Sequence, residues 1–174
     1  VVYEFTLQCV TKLFEMGCRL VILACNTASA KALRNIQQND IPLIAPDRRV
    51  LGIIRPTAEC VGDSTKTRHV GLLATPGTVK SLSYPLEIKK LFPEIKVVGE
   101  ACPIWVPLVE NNESDSDGTD YFVKRHVDNL LAKDDKIDTI IIGCTHYPLL
   151  YNKIRKYGPN HIEIITRGEY VATS

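Results

Sequence analysis

Six short segments of this chain, CRLVILAC, IPLIAP, RHVGLLAT, IKVVGEA, IDTIIIGC and HIEIIT, read as strands, and most are continuous apolar runs rather than alternating ones. A strand that shows no polar side to water suits a sheet covered on both faces, which in practice means parallel strands joined by helices. Helix-like stretches fall between nearly all of the six. The fold class that follows is α/β, with a mostly parallel sheet and right-handed crossovers.

The opening VVYEFTLQCVTKLFEMG places Val1, Phe5, Cys9, Val10, Leu13 and Phe14 at helical spacing and ends on Gly17, with no capping residue before it. ASAKALRNIQQ reads as a helix beginning directly after Cys25, Asn26 and Thr27. APDRRVLG reads as a crossing between two halves. NNESDSDGTD, residues 111–120, reads as an acidic, turn-rich connection before the helix YFVKRHVDNLLAK.

With 174 residues, 45% of them hydrophobic and 24% charged, the chain has enough material for one sizeable core or two small ones. A formal charge of +1 argues against recruitment of nucleic acid or an anionic membrane, so a small molecule is the expected partner. No apolar run approaches the ~20 residues of a membrane span, and the start lacks a signal-peptide layout, so the expected location is cytoplasmic. The six cysteines are scattered and read as reduced. Cys144 and His146 would supply two ligands where a structural zinc site wants four, so no metal is expected.

Two strand ends carry similar polar groups: LACNTASA places Cys25, Asn26 and Thr27 after one strand, and IIGCTHYPLL places Cys144, Thr145 and His146 after another. In open parallel sheets, ligands settle outside the carboxyl ends of strands, where helix N-termini favour bound carboxylates and lower cysteine pKa values. A lone cysteine ending a strand is usually core, and Cys9, Cys18 and Cys60 keep that reading. Two matching turns point elsewhere. Inverting a carbon that carries one proton needs a base on one face and an acid on the other, roles a pair of thiols can exchange. A hydrolase needs only one nucleophile.

The passages ACNTASA and GCTHYPLL, together with GIIRPTAE (52–59), ATPGTVKSLSY (74–84) and CPIWVPLVE (102–110), resemble the glutamate racemases of the aspartate/glutamate racemase superfamily along nearly the whole chain. The resemblance implies two similar α/β domains facing across a cleft, here residues 1–48 with 166–174 and residues 49–165. It implies inversion of glutamate without a cofactor, supplying D-glutamate for peptidoglycan. Cys25 would take the proton of D-glutamate and Cys144 that of L-glutamate. Asn26, Thr27 and Thr145 would hold the substrate's carboxylate and amino groups. His146 and Glu110 match the polar partners of the second cysteine. Thr75 and Thr78 match a threonine loop at the cleft, though a strand-to-helix cap explains them equally well. Trp105 and Tyr84 read as packing.

The family's opening Asp-Ser-Gly turn and a later Tyr-Gly have no counterpart, and Thr166-Arg167-Gly168 stands where another Asp-Ser-Gly is often found. The resemblance therefore implies a fragment of a longer protein, inactive if the missing aspartate is truly absent. Alternatives left open are an aspartate or other cofactor-independent racemase, a thiol hydrolase and a non-catalytic amino-acid-binding module. The oligomeric state, a homodimer included, is not set by these residues.

Overall fold

The structure is a computed structural model that describes residues 1–166. The proposed closing segment from Arg167 onward lies outside the described residues. Helix α1 (Val2–Glu15) ends at Met16, and Gly17, with φ +96°, turns the chain back. Gly17 N–H bonds to Phe14 O and Cys18 N–H to Leu13 O, the paired closure a left-handed glycine permits. Strand β1 (Leu20–Leu23) follows, then α2 (Asn26–Lys31), α3 (Leu33–Asn35), a π-helical segment (Ile36–Asp40), α4 (Ile41–Ile44) and β2 (Arg49–Gly52). The two strands pair in parallel, Leu20 beside Arg49 through Leu23 beside Gly52.

The remainder is α5 (Ile54–Ser64), β3 (His69–Ala74), α6 (Pro76–Ser81), α7 (Ser83–Leu91), β4 (Lys96–Ala101), α8 (Trp105–Glu110), α9 (Asp117–Lys133), β5 (Thr139–Gly143), a 3₁₀ turn (Tyr147–Leu150), α10 (Tyr151–Tyr157) and β6 (Glu163–Ile165). Its four strands form a parallel sheet in the order β4-β3-β5-β6. The α/β class with parallel sheets expected from the apolar runs is therefore the fold observed.

Both faces of the larger sheet are covered. Val70, Leu72, Ala74 and Ile141 pack with Ile54, Ala58 and Val61 of α5 and Tyr84 and Ile88 of α7. On the opposite face Leu73, Ile140 and Ile142 pack with Trp105, Val123, Val127, Leu130 and Ile154 of α8, α9 and α10. Each aliphatic side chain fully buried this way contributes roughly 1.5–3 kcal/mol. Successive residues point to opposite faces, so a strand with two covered faces must be apolar throughout.

Four sequence expectations are corrected. IPLI is helix α4, not a strand: short apolar runs fit either state, and Pro42 lies in the first helical turn, where its missing N–H costs nothing. RVLG is a strand paired with β1 rather than a crossing. The helix after Cys25 starts at Asn26 and breaks at Ala32, where φ is −122°. Helix α9 starts at Asp117, inside the acidic segment: Ser116 caps it by accepting from Thr119 N–H, and Asp117 and Asp120 suit the positive end of its first turn.

Strand β1 also differs from expectation. Val21 and Leu23 are buried against α1 and the π-helical segment, but Leu20 and Ile22 are 50% and 57% exposed. Among the described residues, the β1–β2 sheet has cover on one face only.

Asp138, at the entry to β5, ties the start of that strand to the segment leading into β3. Its carboxylate accepts from Thr65 Oγ1 at 2.6 Å, from the backbone N–H groups of Lys66 and Thr67 at 2.7 Å each, and from Thr139 Oγ1 at 3.1 Å. Burial works to raise its pKa, and these donors outweigh burial, holding it at about 2. The folded value lies below the unfolded one, so this stabilisation is present above pH ~4 and is lost as pH falls toward 2. Asp138→Asn is expected to lower the Tm at pH 7 by about 2–8 °C, equivalent to about 1–2 kcal/mol. The deficit should shrink between pH 4 and pH 2 in thermal unfolding followed by circular dichroism.

Candidate functional site

The connections out of β3 and β5 leave in opposite directions. From β3 the chain runs through α6 and α7 on one face to β4; from β5 it runs through α10 on the other face to β6. Where neighbouring parallel strands diverge in this way, a crevice opens outside their carboxyl ends. Thr75 follows β3, and Cys144 follows β5. Gly143 allows the close approach: a Cβ there would sit 2.7 Å from Leu72 Cδ1 and 2.8 Å from Ala74 Cβ.

Helix α2 of the smaller sheet docks onto this end. Cys25, in extended conformation (φ −94°, ψ 129°), is its N-cap and is exposed. Thr27 Oγ1 lies 2.9 Å from Thr75 Oγ1 and 3.3 Å from Thr78 Oγ1, and Thr75 and Thr78 Oγ1 are 3.1 Å apart. Thr75 also caps α6 by accepting from Thr78 N–H. Thr75 is thus a strand-to-helix cap, and its hydroxyl also joins those of Thr27 and Thr78. Gly77 leaves room for the contact, since a Cβ there would meet Thr27 Cγ2 at 3.3 Å.

Asn26 is 2% exposed. Its Oδ1 accepts from Tyr84 Oη at 2.7 Å, while Nδ2 has no acceptor among the described residues. Tyr84, read from sequence as packing, is fully buried yet also holds a site residue. A buried phenol needs a hydrogen-bond partner, which was the available signal. Ser83 adds a second tether, its hydroxyl donating to Ala30 O at 3.3 Å. The turn that presents both residues depends on Leu82, which adopts the left-handed region at φ 57°.

On the other side, Cys144 is 7% exposed and its Sγ lies 3.9 Å from His146 Nδ1, long for a hydrogen bond to sulfur. His146 Nε2 pairs with Glu110 Oε1 at the end of α8. The thiol, imidazole and carboxylate, with Cys144 34 positions after Glu110, thus form one chain of contacts. Pro148 lies in the first turn of the 3₁₀ segment beyond them, where its missing N–H costs nothing. Thr145 is exposed between Cys144 and His146. Below the site, burial pushes the Cys102 thiol well above its ordinary pKa, and burial likewise raises Tyr147, whose hydroxyl donates to Cys102 O at 2.7 Å. Neither group is set up to exchange protons near neutral pH.

One expectation about electrostatics changes. Helices α2 and α6 have six residues each, so their dipoles are short.

Comparison with known proteins supplies the context. The sequence model of the Asp/Glu/Hydantoin racemase family matches residues 3–166. The curated glutamate racemase of Persephonella marina is 38% identical over 172 residues, covering 98% of this chain and 62% of that protein. The crystal structure of a glutamate racemase isoform from Bacillus anthracis superposes with a TM-score of 0.88 at 33% identity, covering 99% of this chain and 62% of the other. That of the Francisella tularensis enzyme, determined in complex with D-glutamate, gives 0.85 at 27% identity, covering 99% and 61%. The chain thus spans about three fifths of the length of the relatives it matches. With a family match that runs from α1 to the end of the described residues and a fold shared with these enzymes, the chain belongs to the Asp/Glu/hydantoin racemase family.

Proposed function

We propose that this chain is the larger part of a glutamate racemase that interconverts the L and D enantiomers by two-base proton transfer, with neither metal nor cofactor. The supporting observation is that the two polar cysteine turns both follow parallel strands, with α2 pinned through its threonine to the β3 loop beside Cys144. One thiolate, Cys25 for D-glutamate or Cys144 for L-glutamate, removes the Cα proton. The electron pair stays on the carbon, and the opposite thiol delivers its own proton to the other face. The two cysteines end each turnover with their protonation exchanged. Asn26, Thr27, Thr75, Thr78 and Thr145 would hold the carboxylates and the amino group. Glu110 would orient His146, and the imidazole would manage the proton of Cys144. The product role is supply of D-glutamate for peptidoglycan in the cytoplasm, with a homodimer as the assembly. No helix among the described residues is long and apolar enough to cross a membrane.

A second reading has one observation in its favour: Cys144, His146 and Glu110 follow the nucleophile, base and carboxylate order of thiol hydrolases. It leaves Cys25 without a task. Incubation of the full-length protein with L-glutamate in D₂O separates the readings. The proposal expects deuterium at Cα and loss of optical activity. Exchange with aspartate but not glutamate would move the assignment within the family, and absence of exchange with either would end it.

A further inference from the structure

We infer that Tyr84 is a positioning residue that commits the Asn26 amide to present its NH₂ group, rather than its oxygen, to an acidic substrate; this rests on the glutamate racemase reading above. An asparagine amide is nearly symmetric in shape, and its two ends differ only in donating or accepting. A carboxylate ligand can be met only by the donor end. Which end faces the ligand is therefore a question of what occupies the other.

Three observations support this orientation. Tyr84 Oη donates to Asn26 Oδ1 at 2.7 Å, so the accepting end of the amide is engaged. Asn26 is 2% exposed and Tyr84 0%, so water does not compete for that bond. Nδ2 is buried and has no acceptor among the described residues. A buried donor without a partner is destabilising, and that cost is removed when an acceptor arrives. The chain keeps the arrangement by docking α2 at both ends, Tyr84 on Asn26 and Ser83 on Ala30, from one turn whose corner is the left-handed Leu82. Without the phenol hydroxyl the amide could rotate and turn its oxygen toward the substrate carboxylate, where two acceptors repel.

The test uses the full-length protein and Tyr84→Phe, which removes one oxygen from a site that stays filled. The expected result is a KM for glutamate raised about tenfold, with kcat within twofold of the parent. In an Asn26→Ala background the same change should alter KM by less than twofold, because Tyr84 acts through that amide. A residue that merely packs would give equal effects in both backgrounds, and that result, or an unchanged KM in the single variant, overturns the inference. The Asn26 side-chain NH₂ resonances, identified by their loss in Asn26→Ala, give a reading that needs no activity. They should shift in Tyr84→Phe, and unmoved resonances would equally overturn it. If the parent protein fails to racemise glutamate, the proposed function falls, while these resonances still decide whether Tyr84 holds the amide.

Discussion

Serine in place of either Cys25 or Cys144 is expected to lower glutamate racemisation by about 10²–10⁴-fold, the range over which one positioned acid or base contributes. Serine keeps the size and loses the ionisation, since an alkoxide is not accessible near neutral pH. Cys25 is exposed and Cys144 buried, so circular dichroism should accompany the second variant to show that it folds. Cys9→Ser, on the exposed side of α1, is the control and should leave the rate unchanged. The two variants should differ in a way that a simple loss of activity does not reveal. With Cys25 replaced, Cys144 can still remove the proton of L-glutamate and return deuterium to the same face. L-glutamate should then exchange in D₂O without inverting, while D-glutamate stays unlabelled. With Cys144 replaced the preference should reverse. Full racemisation by either variant would remove the two-base mechanism.

The largest expected effect on stability is at Trp105. This side chain is 0% exposed and meets Tyr147 edge-on at 4.8 Å and His126 at 5.9 Å between ring centroids. It fills the angle between α8, α9 and the 3₁₀ segment beyond Cys144. Trp105→Ala should cost about 3–5 kcal/mol, a cavity of that size being only partly refilled by relaxation. Urea unfolding must be followed by circular dichroism, because Trp105 is the chain's one tryptophan. Trp105→Phe should cost less than half as much, since it retains a ring and removes an indole N–H that is buried without an acceptor among the described residues. Equal losses for the two variants would show that the site tolerates collapse and that the aromatic contacts carry little. Because Trp105 begins the helix that ends in Glu110, the alanine variant should also loosen the His146–Glu110 pair.

Much of this was legible in the residues. The apolar runs at β3 and β5 carried the parallel sheet, because two-sided burial leaves the body of each strand, beyond His69 and Thr139 at their starts, apolar. The strand-end cysteines stood out through their polar neighbours. What stayed hidden depended on distant partners. Tyr84 is apolar enough to pass as core, and only the 58-residue separation from Asn26, closed by the turn at Leu82, gives its hydroxyl a task. IPLI has no periodicity long enough to separate strand from helix. The open face of β1 could not be foreseen either, because Leu20 and Ile22 are as apolar as Val21 and Leu23, and exposure depends on what else packs there.

That one-sided cover divides the molecule's resistance to local opening. Strands β3 and β5 can separate only with the loss of both hydrophobic layers, whereas β1 and β2 part with the loss of one. The two halves are thus unequal cooperative units, and Cys25 belongs to the lighter. Its position is borrowed: the bonds from Thr75, Ser83 and Tyr84 lend α2 the steadiness of the heavier half. In the proposed reaction Cys144 would be the anchored member of the pair, and Cys25 the one whose placement lasts only as long as the junction between the sheets stays closed.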